Sequence, residues 1–339
     1  MGMRTRAVAV SLLATLVAAC STSATTAPTP APTPAPTAAP TPAPASAAPS
    51  VAASVAPSAA ASVAASAAPS AAVAADCMKG QAKTLADGKL TIGTDNPAYP
   101  PYFQPPASGN APKPWELGDP TSGEGFESAV AYAVANALGF GKTDVTWTVV
   151  PFNNSFKPGT KPFDFYLAQV SYTADRAKAV DMSDGYYFVA QSVVALKDSP
   201  IAKATSIADL KGYKFGAQAG TTAYDTIQNV IAPTAAAKLY DSNDAAIQAV
   251  KAKQIDAIVV DLPTAFYVTA VQLENSVIVG QFPVQAGPDA EHFSLVLGKD
   301  SALTTCVNQA LAALTADGTL DQITKEWLSD KASAPVFQP

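Results

Sequence analysis

Residues 170–187 read VSYTADRAKAVDMSDGYY. The stretch sets Arg176 close behind two hydroxyl residues, Ser171 and Thr173, in a chain where charged residues make up only 14%. A planar guanidinium grips a carboxylate through two parallel hydrogen bonds, and neighbouring hydroxyls complete the anion's acceptor count. Arg176 is therefore a candidate to hold the carboxylate of a small ligand. The competing reading is a solvated surface arginine paired with Asp175 or Asp181, the ordinary fate of the residue type.

Upstream of it the chain alternates element types. Residues 90–94 (LTIGT) read as a strand that delivers Asp95 into DNPAYPPYF, where Pro97, Pro100 and Pro101 exclude helix and central strand and keep Tyr99, Tyr102 and Phe103 on a loop. Residues 104–124 are long, rich in Pro and Gly, and include Trp115; loops of that length are commonly functional. Phe126, Ala129, Val130, Ala133, Val134, Ala137 and Leu138 then recur at helical spacing, with Gly139 as the stop. Residues 145–151 alternate like a strand, and 163–168 form an apolar run that ends shortly before Arg176.

Downstream, 191–196 reads as a strand, Ser206 caps a short helix, and 214–219 reads as another strand. Gly220, Thr221 and Thr222 open a helix that runs through Ile231 to a halt at Pro233. A glycine and two hydroxyls at a helix start suit an anion, although an N-cap role alone would account for either threonine. A further helix runs from Ser242 or Asn243 to Lys251. Residues 255–260 are a buried strand rich in β-branched residues, with Asp261 at its end. The chain closes with a strand at 293–297 and helices at 304–315 and 320–328, where Leu320, Ile323, Trp327 and Leu328 form a packing stripe. Strands alternating with helices predict an α/β fold, with ligands collecting beyond the carboxyl ends of strands.

Composition sets the outer limits. Residues 21–75 contain only Ser, Thr, Ala, Pro and Val, too little apolar surface to offset ordering entropy, and the Ala-Pro and Thr-Pro alternation favours extended polyproline II. We read 20–75 as a tether. Residues 1–19 have the layout of a signal peptide: Arg4 and Arg6, an apolar run, then small residues. Leu16 to Cys20 (LVAAC) resembles the lipobox of bacterial lipoproteins, in which the cysteine is acylated. An ordinary exported protein with a coincidental cysteine is the alternative. If Cys20 carries lipid, two cysteines remain in an oxidising compartment, Cys77 and Cys306, either as a disulfide or as buried thiols. The net charge of -6, with no basic run, argues against nucleic acid. The single histidine, His292, has no partner at metal or triad spacing, and no P-loop is present, so neither a metal nor a nucleotide cofactor is expected.

Four motifs in order, GFESAVAYAVANALG, SYTADRAKAVDMSDGYY, FGAQAGTT and IDAIVVDLPTA, resemble the family 3 solute-binding proteins, the extracytoplasmic amino-acid receptors of ABC transporters. The resemblance covers residues 90–328, nearly all of the folded part. It implies a two-lobed periplasmic-binding-protein type II fold, with ligand in the cleft between two α/β lobes joined by a two-strand hinge. The expected division is 76–193 for the first part of lobe I, 194–286 for lobe II, 287–331 for the return to lobe I, and a tail at 332–339. The crossings are expected near 193–197 and 285–288.

The same resemblance implies that Arg176 binds an α-carboxylate, assisted by Ser171 and the Thr221–Thr222 backbone, and that Asp261 binds the α-ammonium. It sets Phe126 and Phe293 against the ligand and Asp95 near its side chain. The sequence departs from the family pattern at Ala129, at Gln169 where a small residue often exposes its backbone to ligand, at Gln218, and at the 104–124 insertion, which could carry Trp115 over the cleft as a lid. Asp95, Tyr99, Tyr102 and Phe126 suit a neutral polar or basic side chain over an acidic one. The expected protein is a monomeric, lipid-anchored, non-enzymatic receptor that delivers an amino acid to an ABC permease. Two alternatives share this chemistry or fold: a sensing subunit for a membrane receptor, and a dehydratase with Glu127 or Asp95 as general acid.

Overall fold

The computed structural model describes residues 72–284, 290–328 and 334–339. The expected signal peptide, Cys20, nearly all of the expected tether and the crossing expected at 285–288 lie outside these residues.

One sheet gathers β1 (Leu90–Thr94), β2 (Val145–Val149), β3 (Phe165–Tyr166) and β4 (Asp181–Phe188) with the late strand β10 (His292–Leu297), in the order β2-β1-β3-β10-β4. β1 is parallel to β2 and β3, whereas β10 runs antiparallel to β3 and β4. Helices α1 (Phe126–Ala137), α2 (Phe152–Ser155), α3 (Ala174–Ala179), α8 (Leu303–Ala316) and α9 (Thr319–Trp327) belong with it. The 3.6-residue stripe of α1 explains its seat: Phe126, Val130 and Val134 are fully buried in one core with Leu295, Leu311 and Leu314.

The second sheet has the order β7-β6-β8-β5-β9, built from β5 (Gln191–Leu196), β6 (Phe215–Gln218), β7 (Lys238–Tyr240), β8 (Ala257–Asp261) and β9 (Ser276–Gln281). It carries α4 (Ile207–Leu210), α5 (Thr222–Thr226), α6 (Asn243–Lys251) and α7 (Leu262–Tyr267). α5 does not continue as one α-helix to Ile231; a π-helical turn, Ile227–Ile231, completes it and ends at Ala232 in the left-handed region.

The first crossing between lobes falls at Val189–Ala190, not at 193–197. β5 pairs with β8 from Gln191 onward, so the whole strand is fixed in the second sheet, and an apolar run cannot reveal in advance which sheet it will join. On the return side, Phe282 donates its backbone N–H to the Gln191 carbonyl, and Val189 donates to that of Glu291, so the two connections lie side by side. Ordered packing also begins earlier than residue 76: Val73 and Ala74 sit against the first core, and the Ala74 N–H bonds Gln309.

The C-terminal residues are more than a tail. The Gln281 N–H donates to the Pro335 carbonyl and the Gln281 carbonyl accepts from the Phe337 N–H, Gln338 pairs with Thr205 and Ile207, and the Phe337 ring is buried in the second lobe's core. A Cβ at position 280 would lie 2.7 Å from that ring, so the close approach requires Gly280. The chain thus finishes on the second lobe after its last helix has packed on the first.

Cys77 and Cys306 are joined, tying the start of the folded part to α8 across 229 residues of sequence. Reduction, or the paired change Cys77→Ser and Cys306→Ser, is expected to cost about 2–4 kcal/mol of stability, because a long loop is released in the unfolded chain. Denaturant melts with and without reductant measure it. Coincident midpoints would show that the bridge contributes nothing.

Candidate functional site

Each lobe presents strand ends and helix starts to the cleft. From the first lobe come Asp95, one residue past β1, and the segment 168–176 between β3 and α3. From the second come the turn after β6 and the end of β8. These segments enclose a cavity of about 70 Å³ that Arg176, Ser171, Asp95, Gln169, Gln191, Gln218, Thr221, Thr222 and Asp261 all line. A neighbouring outer chamber of about 220 Å³ shares Asp95, Tyr99, Gln218 and Asn243 with it and is also bordered by Asp241 and Asp244.

Arg176 is not a solvated surface residue. Its expected surface partners are engaged elsewhere, Asp175 with Lys178 and Asp181 with Lys299, and the arginine is 8% exposed. Thr173 caps α3 by accepting the Arg176 backbone N–H, which removes it from the anion site but fixes where the arginine starts. The guanidinium lies over the rings of Phe156 and Phe152, 4.5 and 5.6 Å from their centroids. It donates to the Ser171 carbonyl in its own lobe and to the Gly220 carbonyl of the other, the latter at 2.6 Å. Burial pulls its pKa down to about 10, opposed by Asp225, Glu291 and Asp261, so it stays cationic at neutral pH. Among the described residues no carboxylate lies within salt-bridge distance of it. Gly220 has φ +81°, and a Cβ there would stand 2.3 Å from Asn153 Oδ1, so only glycine permits this interlobe contact.

Asp261 ends β8 and precedes Pro263 in α7. Its β-ladder partner is Gln191, whose Nε2 donates to Asp261 Oδ1 at 2.6 Å. Burial raises the Asp261 pKa well above the usual carboxylate range, and the nearby Glu291 carboxylate raises it further. This is a group poised for a cation, since a buried carboxylate is costly without one.

Glu291, Gln191 and Phe152 are site residues that sequence reasoning missed. Ser171 Oγ and Thr222 Oγ1 both donate to Glu291 Oε1, at 2.8 and 2.5 Å, so the Ser171 hydroxyl does not give its proton toward a ligand carboxylate as expected, and the expected backbone role of Thr221–Thr222 is untouched by this contact. Thr221 Oγ1 is likewise turned back to the Gln218 carbonyl, and Gln218 Oε1 accepts from the Asn243 N–H at the start of α6. The only sequence signal for Glu291 was an acid just ahead of the strand that returns to the first lobe.

Two aromatic expectations are corrected. Phe126 and Phe293 are both fully buried in the first lobe's core, packed with Tyr186 and Tyr187, and neither lines the cavity. Tyr102 is also interior, reaching Thr264 of the second lobe through its hydroxyl. Tyr99 does line the cavity, and it stacks on Tyr267 across the cleft at 5.9 Å. Trp115 is no lid: it is 3% exposed and does not border the cavity. The insertion instead folds back by backbone bonds, Gly118 to Ala98 and Asp119 to Gln104.

Gln169 adopts φ +54° and turns its N–H and side-chain amide onto Glu127. Glu127 also accepts the Tyr186 hydroxyl, is fully buried, and has its pKa pushed up to about 7 by that burial. Gln169 therefore seals an internal carboxyl rather than narrowing the cavity from a free position. Among the described residues no cluster of His, Cys, Asp and Glu is set to hold a metal ion.

With this geometry in hand, the likeness to known proteins is specific. Residues 90–330 match the family described as bacterial extracellular solute-binding proteins, family 3. The arginine-binding extracellular protein of Bacillus subtilis (strain 168) is 28% identical over 222 residues, 64% of this chain and 82% of that one. The ABC transporter glutamine-binding protein of the same organism is 29% identical over 218 residues, 63% of this chain and 77% of its own. A solved ancestral arginine-binding protein bound to glutamine superposes with a TM-score of 0.57 at 28% identity, covering 72% of this chain and 100% of that one.

Proposed function

The chain belongs to the family 3 bacterial extracellular solute-binding proteins, and from that premise we propose that it is an extracytoplasmic receptor that closes on one free amino acid and hands it to an ABC importer. The observation that carries the reading is that Arg176 and Asp261, on opposite lobes, border one cavity. A zwitterion brings the opposite charge to each, so it compensates two desolvated groups at once and favours the closed arrangement. In this reading Arg176 and the backbone at Thr221–Thr222 take the α-carboxylate, and Asp261 takes the α-ammonium.

The side chain would extend into the outer chamber past Asp95, Asp241 and Asp244, and among the described residues no Lys or Arg borders that chamber. Three acids without a base favour a basic side chain, which agrees with the arginine-binding relative and narrows the sequence expectation of a neutral polar or basic ligand. A thermal-shift screen of the twenty amino acids on the purified protein tests this. A ligand at 100 times its Kd adds about 2.7 kcal/mol, and arginine or lysine is expected to give the largest shift. No shift with any amino acid would overturn the reading.

Membrane anchoring through acylated Cys20 and the 20–75 tether completes the proposal; a Cys20→Ser protein should lose its acyl mass and its membrane fraction. Against catalysis stands the sealing of Glu127, whose pKa burial pushes up to about 7: Tyr186 and Gln169 enclose it, and it does not border the cavity. We therefore read the chain as a binding protein rather than a dehydratase, and as a monomer.

A further inference from the structure

A hydroxyl group has one proton to donate, and an ionised carboxylate only accepts. Ser171 and Thr222 both give that proton to Glu291 Oε1. Gln191 directs its amide nitrogen to Asp261 Oδ1 at 2.6 Å, Glu291 Oε1 at 3.1 Å and Thr222 Oγ1 at 3.4 Å, and these oxygens fix its orientation. Its Oε1 is consequently turned away, buried and without a hydrogen-bond partner. Ser171, Thr222 and Gln191 all border the cavity, whereas Glu291 stands behind them. What the Ser171 and Thr222 hydroxyls can still offer a ligand is lone pairs.

We propose that Glu291 sets the hydrogen-bonding polarity of this wall: by taking the hydroxyl protons of Ser171 and Thr222 and sharing the Gln191 amide with Asp261 it leaves only acceptors beside Asp261, so the wall takes a cationic donor group and refuses a carboxylate. Glu291 is then a specificity-determining positioning residue that acts through three others. It fixes which way round a zwitterion lies in the cleft, ammonium to this wall and carboxylate to Arg176. The backbone holds it in place, because Val189 donates to the Glu291 carbonyl at 3.1 Å and β10 pairs with β4 immediately after it. The inference rests on the cleft being the amino-acid site and deepens it.

Two lysine fragments separate the poles: 1,5-diaminopentane, which lacks the carboxylate, and 6-aminohexanoate, which lacks the α-amine. Titrating both into the full-length protein and into its Glu291→Ala and Glu291→Gln variants reads the wall directly. The native protein is expected to favour the diamine. In Glu291→Ala the freed hydroxyls can turn and donate to a carboxylate, and the ratio of diamine to 6-aminohexanoate affinity should fall at least about tenfold, with Glu291→Gln between the two. A residue that merely latched the lobes would shift both affinities together and leave the ratio alone, so an unchanged ratio overturns the proposal. Native protein that takes neither fragment, or prefers 6-aminohexanoate, also overturns it. The amino-acid reading falls separately, only if none of the twenty amino acids binds. Melting curves of the variants without ligand establish that they fold.

Discussion

Arg176→Ala is expected to weaken amino-acid binding by about 3–5 kcal/mol, a loss of about a hundred-fold to a few thousand-fold, because it leaves the ligand's carboxylate desolvated without its partner. The geometry of the arginine supports the upper part of that range. It is stacked on Phe152 and Phe156, and it ties the Ser171 carbonyl of one lobe to the Gly220 carbonyl of the other. Truncation therefore removes the ligand's counter-charge and an interlobe link together. Arg176→Lys keeps the charge but not the planar fork, so it should recover only part of the loss. Calorimetry on both variants, after circular dichroism has shown native folding, makes the measurement. Native affinity in Arg176→Ala would mean the carboxylate sits elsewhere.

Much of this site was legible because its residues lie where local sequence signals are strongest. Arg176 follows a cap, Thr221 and Thr222 follow a glycine at a helix start, and Asp261 ends an apolar β-branched run. The errors have physical causes that the same sequence contained. Phe126 is the first member of the α1 stripe it shares with Val130 and Val134, and a stripe packs inward. Phe293 alternates with Leu295 and Leu297 on the face of β10 that meets that core, whereas Val296 faces the other cluster. In both cases the periodicity argued for core, and the periodicity decided. Trp115 lay in a segment without period, where backbone bonds set the path.

Glu291 and Gln191 were out of reach for another reason. Their roles depend on contacts far apart in sequence, Gln191 with Asp261 across 70 residues and Glu291 with Ser171 across 120. Residue type and local spacing say nothing about such pairs. The same applies to Phe337, whose burial under Gly280 joins the chain's last residues to a strand that ends more than fifty positions earlier.

Asp261→Ala should weaken amino-acid binding by about 2–5 kcal/mol while sparing ligands that lack an α-amine. Protonation makes a sharper test of its role. Burial first, then Glu291, raises the Asp261 pKa far above its ordinary 3.8. The folded, ligand-free protein therefore holds a proton there that the unfolded chain has released, and this contribution favours folding at low pH and is lost as pH rises through the folded pKa. The window opens just above 3.8 and extends upward from it. An ammonium in the cleft reverses the sign, because it stabilises the ionised form. Binding should accordingly expel a proton and strengthen as pH rises above 3.8, until the ligand's amine or Asp261 has finished titrating. Calorimetry in two buffers of different ionisation enthalpy counts that proton. Asp261→Asn, which keeps the shape and cannot ionise, should abolish the release, lower the affinity, and flatten the pH dependence of ligand-free stability. Proton release that persists in Asp261→Asn would place the titrating group elsewhere, with Glu127, tuned to about 7, the next to test.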